Sequence, residues 1–195
     1  MTKILVTGAN GQLGKSFKLV AKQFINFKFF FVDLPEVDLR VKEQLYPFFE
    51  ANFIDFVINC AAFTKVDQAE DEVELTLETN LNIVSNLCEL SQKYQFKIVQ
   101  LSSDYVFDGN ASKPYETDEP VNPIGVYGKS KAAAEQAILN AQIDAWIVRT
   151  SWLFSPFGKN FVKTIFELLH NKNEINVVAD QSGAPTYALN LAQFI

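Results

Sequence analysis

The stretch Ile4-Leu-Val-Thr-Gly-Ala-Asn-Gly-Gln-Leu-Gly14 decides the fold, because it runs from an apolar strand through a glycine turn into a helix. The unbroken apolar run over residues 4–6 is typical of a strand that is buried on both faces. Gly8 permits a sharp turn at positive φ, and Gly11 leaves room for a pyrophosphate beside the helix N-terminus. Gly14 allows that helix to pack closely on the strand. We therefore predict a dinucleotide-binding loop.

The glycine spacing is G-x-x-G-x-x-G, which differs from the G-x-G-x-x-G of the standard fingerprint, so an ordinary glycine turn is the alternative. Two features favour a nucleotide-binding loop over an ordinary turn. The loop leads into an amphipathic helical pattern. Asp33 ends the next apolar run about 20 residues beyond the glycines, where a carboxylate would meet an adenosine ribose. Because that carboxylate repels a 2′-phosphate, we predict that NADH is at least tolerated.

Composition and charge argue against several classes of protein. The chain has 195 residues, of which 48% are hydrophobic, and its net charge is −6. This hydrophobic content argues against disorder, and the acidic balance argues against a nucleic-acid partner. No apolar run approaches the ~20 residues that a membrane span needs. Cys60 and Cys88 lie in unlike settings and no signal peptide precedes the first strand, so we expect a reduced cytoplasmic protein.

Strand and helix patterns alternate along the chain, which predicts an α/β fold with a Rossmann-like, doubly wound parallel sheet. Strands are predicted over residues 4–6, 29–33, 55–59, 96–101, 145–149 and 175–178. Beyond the helix of the glycine loop, helices are predicted over residues 41–51, 73–94, 126–140 and 160–170. A single histidine, His170, and scattered cysteines give no metal site.

The segment Tyr127-Gly-Lys-Ser-Lys131 places a tyrosine and a lysine four residues apart at the start of a predicted helix. This spacing puts both side chains on one helical face. An ammonium group beside a phenol favours the phenolate and lowers the pKa of the tyrosine from its usual value near 10. Tyr127 is therefore a candidate general acid or base, although such a pair also arises by chance.

Serines leave the end of the strand predicted over residues 96–101, and ligands gather at the carboxyl ends of strands in open α/β sheets. Ser102 and Ser103 could bond a reacting carbonyl, or they could form an ordinary serine turn. Trp152 follows another strand end, where it could stack on a ring or act as a buried packing residue.

Two segments are candidates for lining a flat cofactor. The small side chains of Ala61 and Ala62, after the strand predicted over residues 55–59, would let a flat ring pass close to the backbone. Asp38 and Leu39 could flank an adenine, and Asp38 could equally cap the helix that follows.

Taken in this order, the motifs resemble the extended short-chain dehydrogenase/reductase family. The resemblance covers almost the whole chain and rests on Thr7-Gly-Ala-Asn-Gly-Gln-Leu-Gly14, Asn59-Cys-Ala-Ala-Phe-Thr-Lys-Val-Asp67, Ser102-Ser-Asp-Tyr-Val-Phe-Asp-Gly109, Tyr127-Gly-Lys-Ser-Lys131, Arg149-Thr-Ser-Trp152 and Asp180-Gln-Ser-Gly-Ala-Pro-Thr186. Within the family, the chain is similar to members that use NADPH or NADH to reduce the C4 keto group of a dTDP-4-dehydro-6-deoxy sugar, giving dTDP-L-rhamnose. Tyr105 follows Asp104 where the related dehydratases carry a glutamate, which favours simple reduction over elimination.

The resemblance implies a role for each matching position. Tyr127 would protonate the sugar oxygen as hydride arrives, Lys131 would hold the nicotinamide ribose, and Ser103 would polarise the carbonyl. Asp104 and Trp152 would contact the dTDP-sugar. The residues implied to line the cofactor are Gly8, Gly11, Gln12, Leu13, Gly14, Asp33, Asp38, Leu39, Ala62, Phe63, Thr64, Tyr127 and Lys131.

The resemblance also implies an NAD(P)-binding Rossmann domain over residues 1–150 and only the start of a C-terminal substrate lobe over residues 151–195, so we expect a truncated chain. It allows a homodimer, but Ser16 stands where some members carry a glutamate that helps to bind magnesium at a dimer contact. Two alternatives stay open: another sugar-nucleotide reductase or epimerase of the family, and a non-catalytic regulatory subunit like that of methionine adenosyltransferase. The complete set of Ser103, Tyr127 and Lys131 argues against the regulatory subunit.

Overall fold

The computed structural model describes residues 1–195, and its central feature is a five-stranded parallel sheet with strand order β2-β1-β3-β4-β5. These strands are β1 (Thr2–Thr7), β2 (Phe27–Phe31), β3 (Phe56–Asn59), β4 (Lys97–Ser103) and β5 (Ala145–Thr150). A separate parallel pair is formed by β6 (Leu153–Phe154) and β7 (Thr186–Tyr187). The predicted Rossmann-like fold is confirmed.

The helices are α1 (Gln12–Val20), α2 (Tyr46–Asn52), α3 (Val66–Asp71), α4 (Val73–Leu77), α5 (Ile83–Tyr94), α6 (Val126–Ala141), α7 (Phe161–Asn171) and α8 (Ala188–Phe194). A π-helical turn over Glu78–Asn82 joins α4 to α5, so the helix predicted over residues 73–94 contains a local widening of the helical turn. None of the helices combines the length and the apolarity that crossing a membrane requires.

Two apolar clusters, one on each face of the sheet, explain the unbroken apolar run of β1. Leu5 belongs to a cluster with side chains of α2, α5 and α6, whereas Ile4 and Val6 belong to a cluster with side chains of α1 and α8. Successive side chains of a strand point to opposite faces, so a strand covered on both sides has no polar alternation.

A row of hydrogen-bonded polar side chains crosses the buried sheet close to the strand ends. Thr7 Oγ1 donates to Asn59 Oδ1 at 2.6 Å, and Asn59 Nδ2 donates to Gln100 Oε1 at 2.8 Å. Gln100 Nε2 then donates to the carbonyl oxygen of Leu101 at 2.8 Å. Because buried polar groups are costly when unpaired, this row fixes the relative positions of β1, β3 and β4 where they enter the candidate site.

Five of the six predicted strands form to within two residues at each end, but the strand predicted over residues 175–178 is wrong. Val177 and Val178 are exposed, and residues 172–185 have no regular structure. Ser151 Oγ donates to the carbonyl oxygen of Ala184 at 2.8 Å, and Thr186 pairs with Leu153 in β6. These contacts hold the end of the segment beside residues 151–154.

The helix predicted over residues 41–51 begins later than expected, at Tyr46. Pro47 lies in its first turn, where a missing N–H is tolerated, and Lys42–Gln44 forms a short 3₁₀ turn instead. The proline thus marks the helix start.

Candidate active site

The glycine turn brings the backbone of the loop into close contact with the backbone that follows β3 and with the first part of α1. Gly8 has a φ of +60°, as predicted, and a Cβ atom there would lie 2.6 Å from the amide nitrogen of Ala61. A Cβ atom on Gly14 would lie 2.3 Å from the carbonyl oxygen of Gly8 and 2.6 Å from the Cα of Ala9. Gly14 therefore lets α1 pack on the loop itself, and the contact predicted with the strand is replaced by one with residues 8 and 9.

The loop and the start of α1 form a cradle that fits a pyrophosphate. A Cβ atom on Gly11 would meet only the carbonyl oxygen of Gly8, at 3.3 Å. The backbone N–H groups of Gln12 and Leu13 make no hydrogen bond within the protein. Unpaired N–H groups and the positive end of the helix dipole both favour a bound phosphate. Gly11, Gln12 and Leu13 are thus the residues that could hold the phosphates of a dinucleotide.

The Asp33 carboxylate, two residues beyond the end of β2, is hydrogen-bonded to the glycine loop. Its Oδ2 accepts a hydrogen bond from the backbone nitrogen of Asn10 at 2.7 Å, and its Oδ1 accepts one from Leu34 at 2.8 Å. Asp33 is therefore next to the cradle, where the sequence predicts it.

Asp38 does not cap the following helix, because α2 begins only at Tyr46. Its carboxylate instead binds the Arg40 guanidinium at 2.7 Å, and these hydrogen bonds lower the pKa of Asp38. Leu39 is buried in the core, so its side chain offers little surface to an adenine. Contact of these two residues with the cofactor stays a prediction.

A buried asparagine holds the segment with Ala62, Phe63 and Thr64 that leaves β3. Asn80 Oδ1 accepts from the backbone nitrogen of Phe63 at 2.7 Å, and Asn80 Nδ2 donates to the Phe63 carbonyl at 3.1 Å. The same Nδ2 also donates to Ser130 Oγ on α6 at 2.9 Å. The π-helical turn that carries Asn80 thus connects a predicted cofactor-lining segment to the helix of Tyr127.

The three predicted catalytic side chains are all buried. Ser103 ends β4, and its hydroxyl donates to Asp104 Oδ1 at 3.0 Å. Tyr127 and Lys131 lie in the first turns of α6, and Lys131 Nζ donates to the carbonyl oxygen of Leu101 at 2.7 Å. Gly128 of α6 packs against the backbone carbonyl of Tyr105, which brings the first turns of this helix beside the end of β4.

The electrostatics of the pair differ from the prediction that Lys131 lowers the pKa of Tyr127. Burial raises the pKa of Tyr127, and the opposing influence comes from Ser103. Burial also lowers the pKa of Lys131 to about 8. Burial is therefore the largest influence on the pKa of both groups. Tyr127 is therefore a protonated phenol at neutral pH.

The substrate-side candidates lie around this cluster. Burial raises the pKa of Asp104, and the ring of Tyr105 meets the ring of Tyr127 edge-on, with centroids 5.6 Å apart. Trp152, after β5, is 44% exposed and has a φ of +46°. A Cβ atom on Gly183 would lie 2.9 Å from its indole ring. Trp152 is therefore not a buried packing residue, and part of its ring is free to contact a ligand.

The Gln12 side chain bonds the segment that precedes α7. Its Oε1 accepts hydrogen bonds from Ser155 Oγ at 3.0 Å and from Asn160 Nδ2 at 2.9 Å. Only the backbone of Gln12 faces the phosphate cradle, while its side chain joins the cradle to the segment before α7. No cluster of three or more His, Cys, Asp or Glu side chains is placed to hold a metal ion.

Two acidic residues near the site were not singled out from the sequence. Glu70 Oε1 on α3 accepts from the backbone nitrogen of Val126, at the start of α6, at 2.7 Å. Glu135 is buried one helical turn beyond Lys131. The spacing of four residues from Tyr127 to Lys131 and on to Glu135 was the available signal for Glu135. Nothing local marks Glu70, because its partner lies 56 positions away.

Replacing Glu70 with alanine is expected to lower the free energy of unfolding by about 1 kcal/mol, because the first turn of α6 loses its capping acceptor. Urea denaturation followed by circular dichroism measures this. Asp71→Ala is the matched control, since Asp71 is exposed and accepts no hydrogen bond through its side chain. Equal stability of the two variants would show that the contact does not support the helix.

The comparisons with known proteins agree with this geometry. Over residues 1–195 the chain matches the family described as the RmlD substrate binding domain. A dTDP-4-dehydrorhamnose reductase of Aggregatibacter actinomycetemcomitans is 38% identical over 195 residues, which are 100% of this chain and 66% of that relative. One of Sinorhizobium fredii is 36% identical over 186 residues, which are 95% of this chain and 62% of the relative.

A solved structure shows the same fold at the same level of identity. The dTDP-4-dehydrorhamnose reductase of Bacillus anthracis in complex with NADP has a TM-score of 0.94 and 38% identity, covering 100% of this chain and 69% of that chain. The chain thus spans about two thirds of the length of these relatives. Because the family match extends over every residue of the sequence, the chain belongs to the RmlD substrate binding domain family.

Proposed function

We propose that the chain carries the dinucleotide-binding and catalytic residues of an NAD(P)H-dependent reductase. The reaction is reduction of the C4 keto group of dTDP-4-dehydro-6-deoxy-L-mannose, giving dTDP-L-rhamnose. The observation that supports this most directly is the placement of Ser103, at the end of β4, beside the turns of α6 that carry Tyr127 and Lys131. The glycine loop leaves β1 at the same edge of the parallel sheet. Relatives named dTDP-4-dehydrorhamnose reductase, one of them in complex with NADP, support the choice of substrate and cofactor.

The Tyr127 phenol serves as the general acid in this proposal. The bound cofactor supplies a hydride to the carbonyl carbon, and the carbonyl oxygen then needs a proton. Because burial raises the pKa of Tyr127, its proton is present at neutral pH and can pass to that oxygen. When substrate binds, the Ser103 hydroxyl would turn from Asp104 Oδ1 and donate its hydrogen bond to the same oxygen, which would stabilise the negative charge that develops there.

In the proposal, the Lys131 ammonium group would hold the nicotinamide ribose of the bound cofactor. The hydrogen bond to the Leu101 carbonyl fixes the position of the ammonium group. Asp104 and the exposed part of Trp152 contact the dTDP-sugar, and Gly11, Gln12 and Leu13 hold the pyrophosphate.

The proposal divides the chain into an NAD(P)-binding domain over residues 1–150 and part of a substrate lobe over residues 151–195. The separate parallel pair of β6 and β7 supports a division after residue 150. The end of the second segment returns to the first domain, because α8 packs with α1 on one face of the sheet. A cytoplasmic location is also part of the proposal. It is supported by Cys60 and Cys88, which are both free thiols, as a reducing compartment favours.

The test is oxidation of NADPH or NADH by the protein expressed from its native reading frame, with the keto-sugar nucleotide added last. We expect absorbance loss only after this addition, and dTDP-L-rhamnose as the product identified by mass spectrometry and NMR. A different reduced or epimerised sugar would reassign the substrate within the family. Cofactor binding without turnover of any keto-sugar nucleotide would favour the regulatory alternative.

Asp33→Asn is expected to improve the binding of NADPH relative to NADH by about fivefold. The change removes one negative charge, and a pair of like charges a few ångström apart near water interacts by about 1 kcal/mol. Isothermal titration with each cofactor measures the two dissociation constants. Glu36→Gln, which removes an exposed charge three positions away, is the control. A change of equal size in both variants would mean that the net charge, and not the position of Asp33, sets the preference.

A further inference from the structure

An ion pair between a buried carboxylate and a partly exposed arginine lies next to the predicted catalytic residues. Glu135 on α6 is 4% exposed, and its Oε1 accepts a hydrogen bond from Ser102 Oγ at 2.5 Å. Arg149 on β5 donates through Nε to Oε1 at 3.1 Å and through Nη2 to Oε2 at 2.7 Å. Three donor groups therefore satisfy one carboxylate, which is the condition under which a buried charge is tolerated.

This pair connects the elements that carry the predicted catalytic residues. Ser102 immediately precedes Ser103 on β4, and Glu135 follows Lys131 by one turn of α6. Arg149 also donates to the carbonyl oxygen of Thr117 at 3.2 Å, in the loop that connects β4 to α6. The carboxylate thus fixes β4, α6 and β5 relative to one another, and its arginine partner holds the loop.

The charge of Glu135 also acts on Lys131. The groups that face Lys131 are Glu135 and Tyr127 on its own helix, the Cys60 thiol after β3, and the Leu101 carbonyl of β4. Burial favours the neutral amine, whereas the negative charge of Glu135 favours the ammonium form. Burial raises the pKa of the Cys60 thiol, so this group is uncharged at neutral pH. Glu135 is therefore the one anionic side chain among these groups.

We propose that Glu135 is a positioning residue for the reaction, whose carboxylate keeps the buried Lys131 ammonium group charged and, with Arg149, holds the end of β4 that carries Ser103. The role in the reaction rests on the proposed function. The electrostatic part concerns only this chain's own side chains and can be measured without substrate or cofactor.

The experiment compares the titration of Lys131 in the wild type and in two variants. The protein is labelled with ¹³C at the lysine Cε atoms, and the Lys131 resonance is assigned as the one that is missing in Lys131→Met. In Glu135→Gln we expect the midpoint to fall by about one pH unit, because a nearby negative charge is lost. In Arg149→Met we expect it to rise, because the carboxylate loses the cation that partly neutralises it.

These opposite directions separate the proposal from a structural role, which would disturb both variants in the same way. Ser102→Ala is the matched control, since it removes one hydrogen bond to Glu135 without changing any charge, and its Lys131 midpoint should match the wild type. Circular dichroism and the melting temperature establish that each variant is folded. If Arg149→Met does not fold, Arg149→Lys replaces it. Because this variant keeps the positive charge, its Lys131 midpoint should match that of the wild type. A midpoint between those of the wild type and Glu135→Gln would oppose the proposal.

Turnover provides the second measurement. If Lys131 acts as an ammonium group, activity is present below its pKa and is lost as the pH rises through it. Glu135→Gln should therefore move the alkaline loss of kcat to lower pH, by the same amount as the Lys131 midpoint. An unchanged Lys131 midpoint in Glu135→Gln would overturn this inference alone. Absence of keto-sugar reduction by the wild type would overturn the proposed function and leave the titration result standing.

Discussion

Tyr127→Phe is expected to lower kcat by about 10²–10⁴-fold, the range that a positioned general acid contributes. The change removes one hydroxyl and keeps the ring that packs edge-on against Tyr105. The fold and the phosphate cradle are therefore expected to be intact. Steady-state oxidation of NADPH with the keto-sugar nucleotide measures the loss, and fluorescence titration of NADPH shows whether binding is preserved.

The neighbouring phenol gives the matched control. Tyr105→Phe removes the other hydroxyl of the ring pair, and the Tyr105 side chain makes no hydrogen bond through its hydroxyl within the protein. We expect this variant to retain most of its turnover. A large loss of turnover in Tyr105→Phe with little loss in Tyr127→Phe would show that our mechanism assigns the proton to the wrong residue. Equal small losses of turnover would show that neither tyrosine takes part in the proton transfer.

Features that depend on a few neighbouring residues could be predicted from the sequence. The turn at Gly8 and the pairing of Tyr127 with Lys131 on one helical face follow from spacings of a few positions. Likewise, the apolar runs predict strands that are covered on both faces, because only a covered strand can lack polar alternation. The carboxyl ends of these strands then have to meet at one edge of the sheet.

Features that depend on distant partners could not be predicted. The side chain of Gln12 bonds residues more than 140 positions away, and the Glu70 carboxylate caps a helix that begins 56 positions later. The direction of the Tyr127 pKa was predicted wrongly for a related reason. Sequence spacing shows that a lysine is near, but it does not show how deeply both groups are buried, and here burial outweighs the charge.

Two glycines of the loop allow the effects on packing and on cofactor binding to be tested separately. Gly14→Ala is expected to lower the free energy of unfolding by at least about 1–3 kcal/mol, the usual cost of forcing extra volume into a packed region. The added Cβ would lie 2.3 Å from the carbonyl oxygen of Gly8 and 2.6 Å from the Cα of Ala9. Both neighbours are backbone atoms, which cannot rotate away as a side chain could. Urea denaturation without cofactor measures this loss, and weaker NADPH binding should accompany it.

Gly11→Ala should separate binding from stability. The backbone at Gly11 is extended, with φ −72° and ψ 178°. Its Cβ would meet one atom, the Gly8 carbonyl oxygen at 3.3 Å, so we expect the loop to accept it with a small shift. That Cβ would, however, occupy the space in which the pyrophosphate approaches the N–H groups of α1. We expect at least a tenfold weaker affinity for NADPH, about 1.4 kcal/mol, with unfolding close to that of the wild type. Unchanged NADPH binding by Gly11→Ala would place the cofactor elsewhere in the molecule, because the added methyl group would weaken the binding of any ligand held in this cradle.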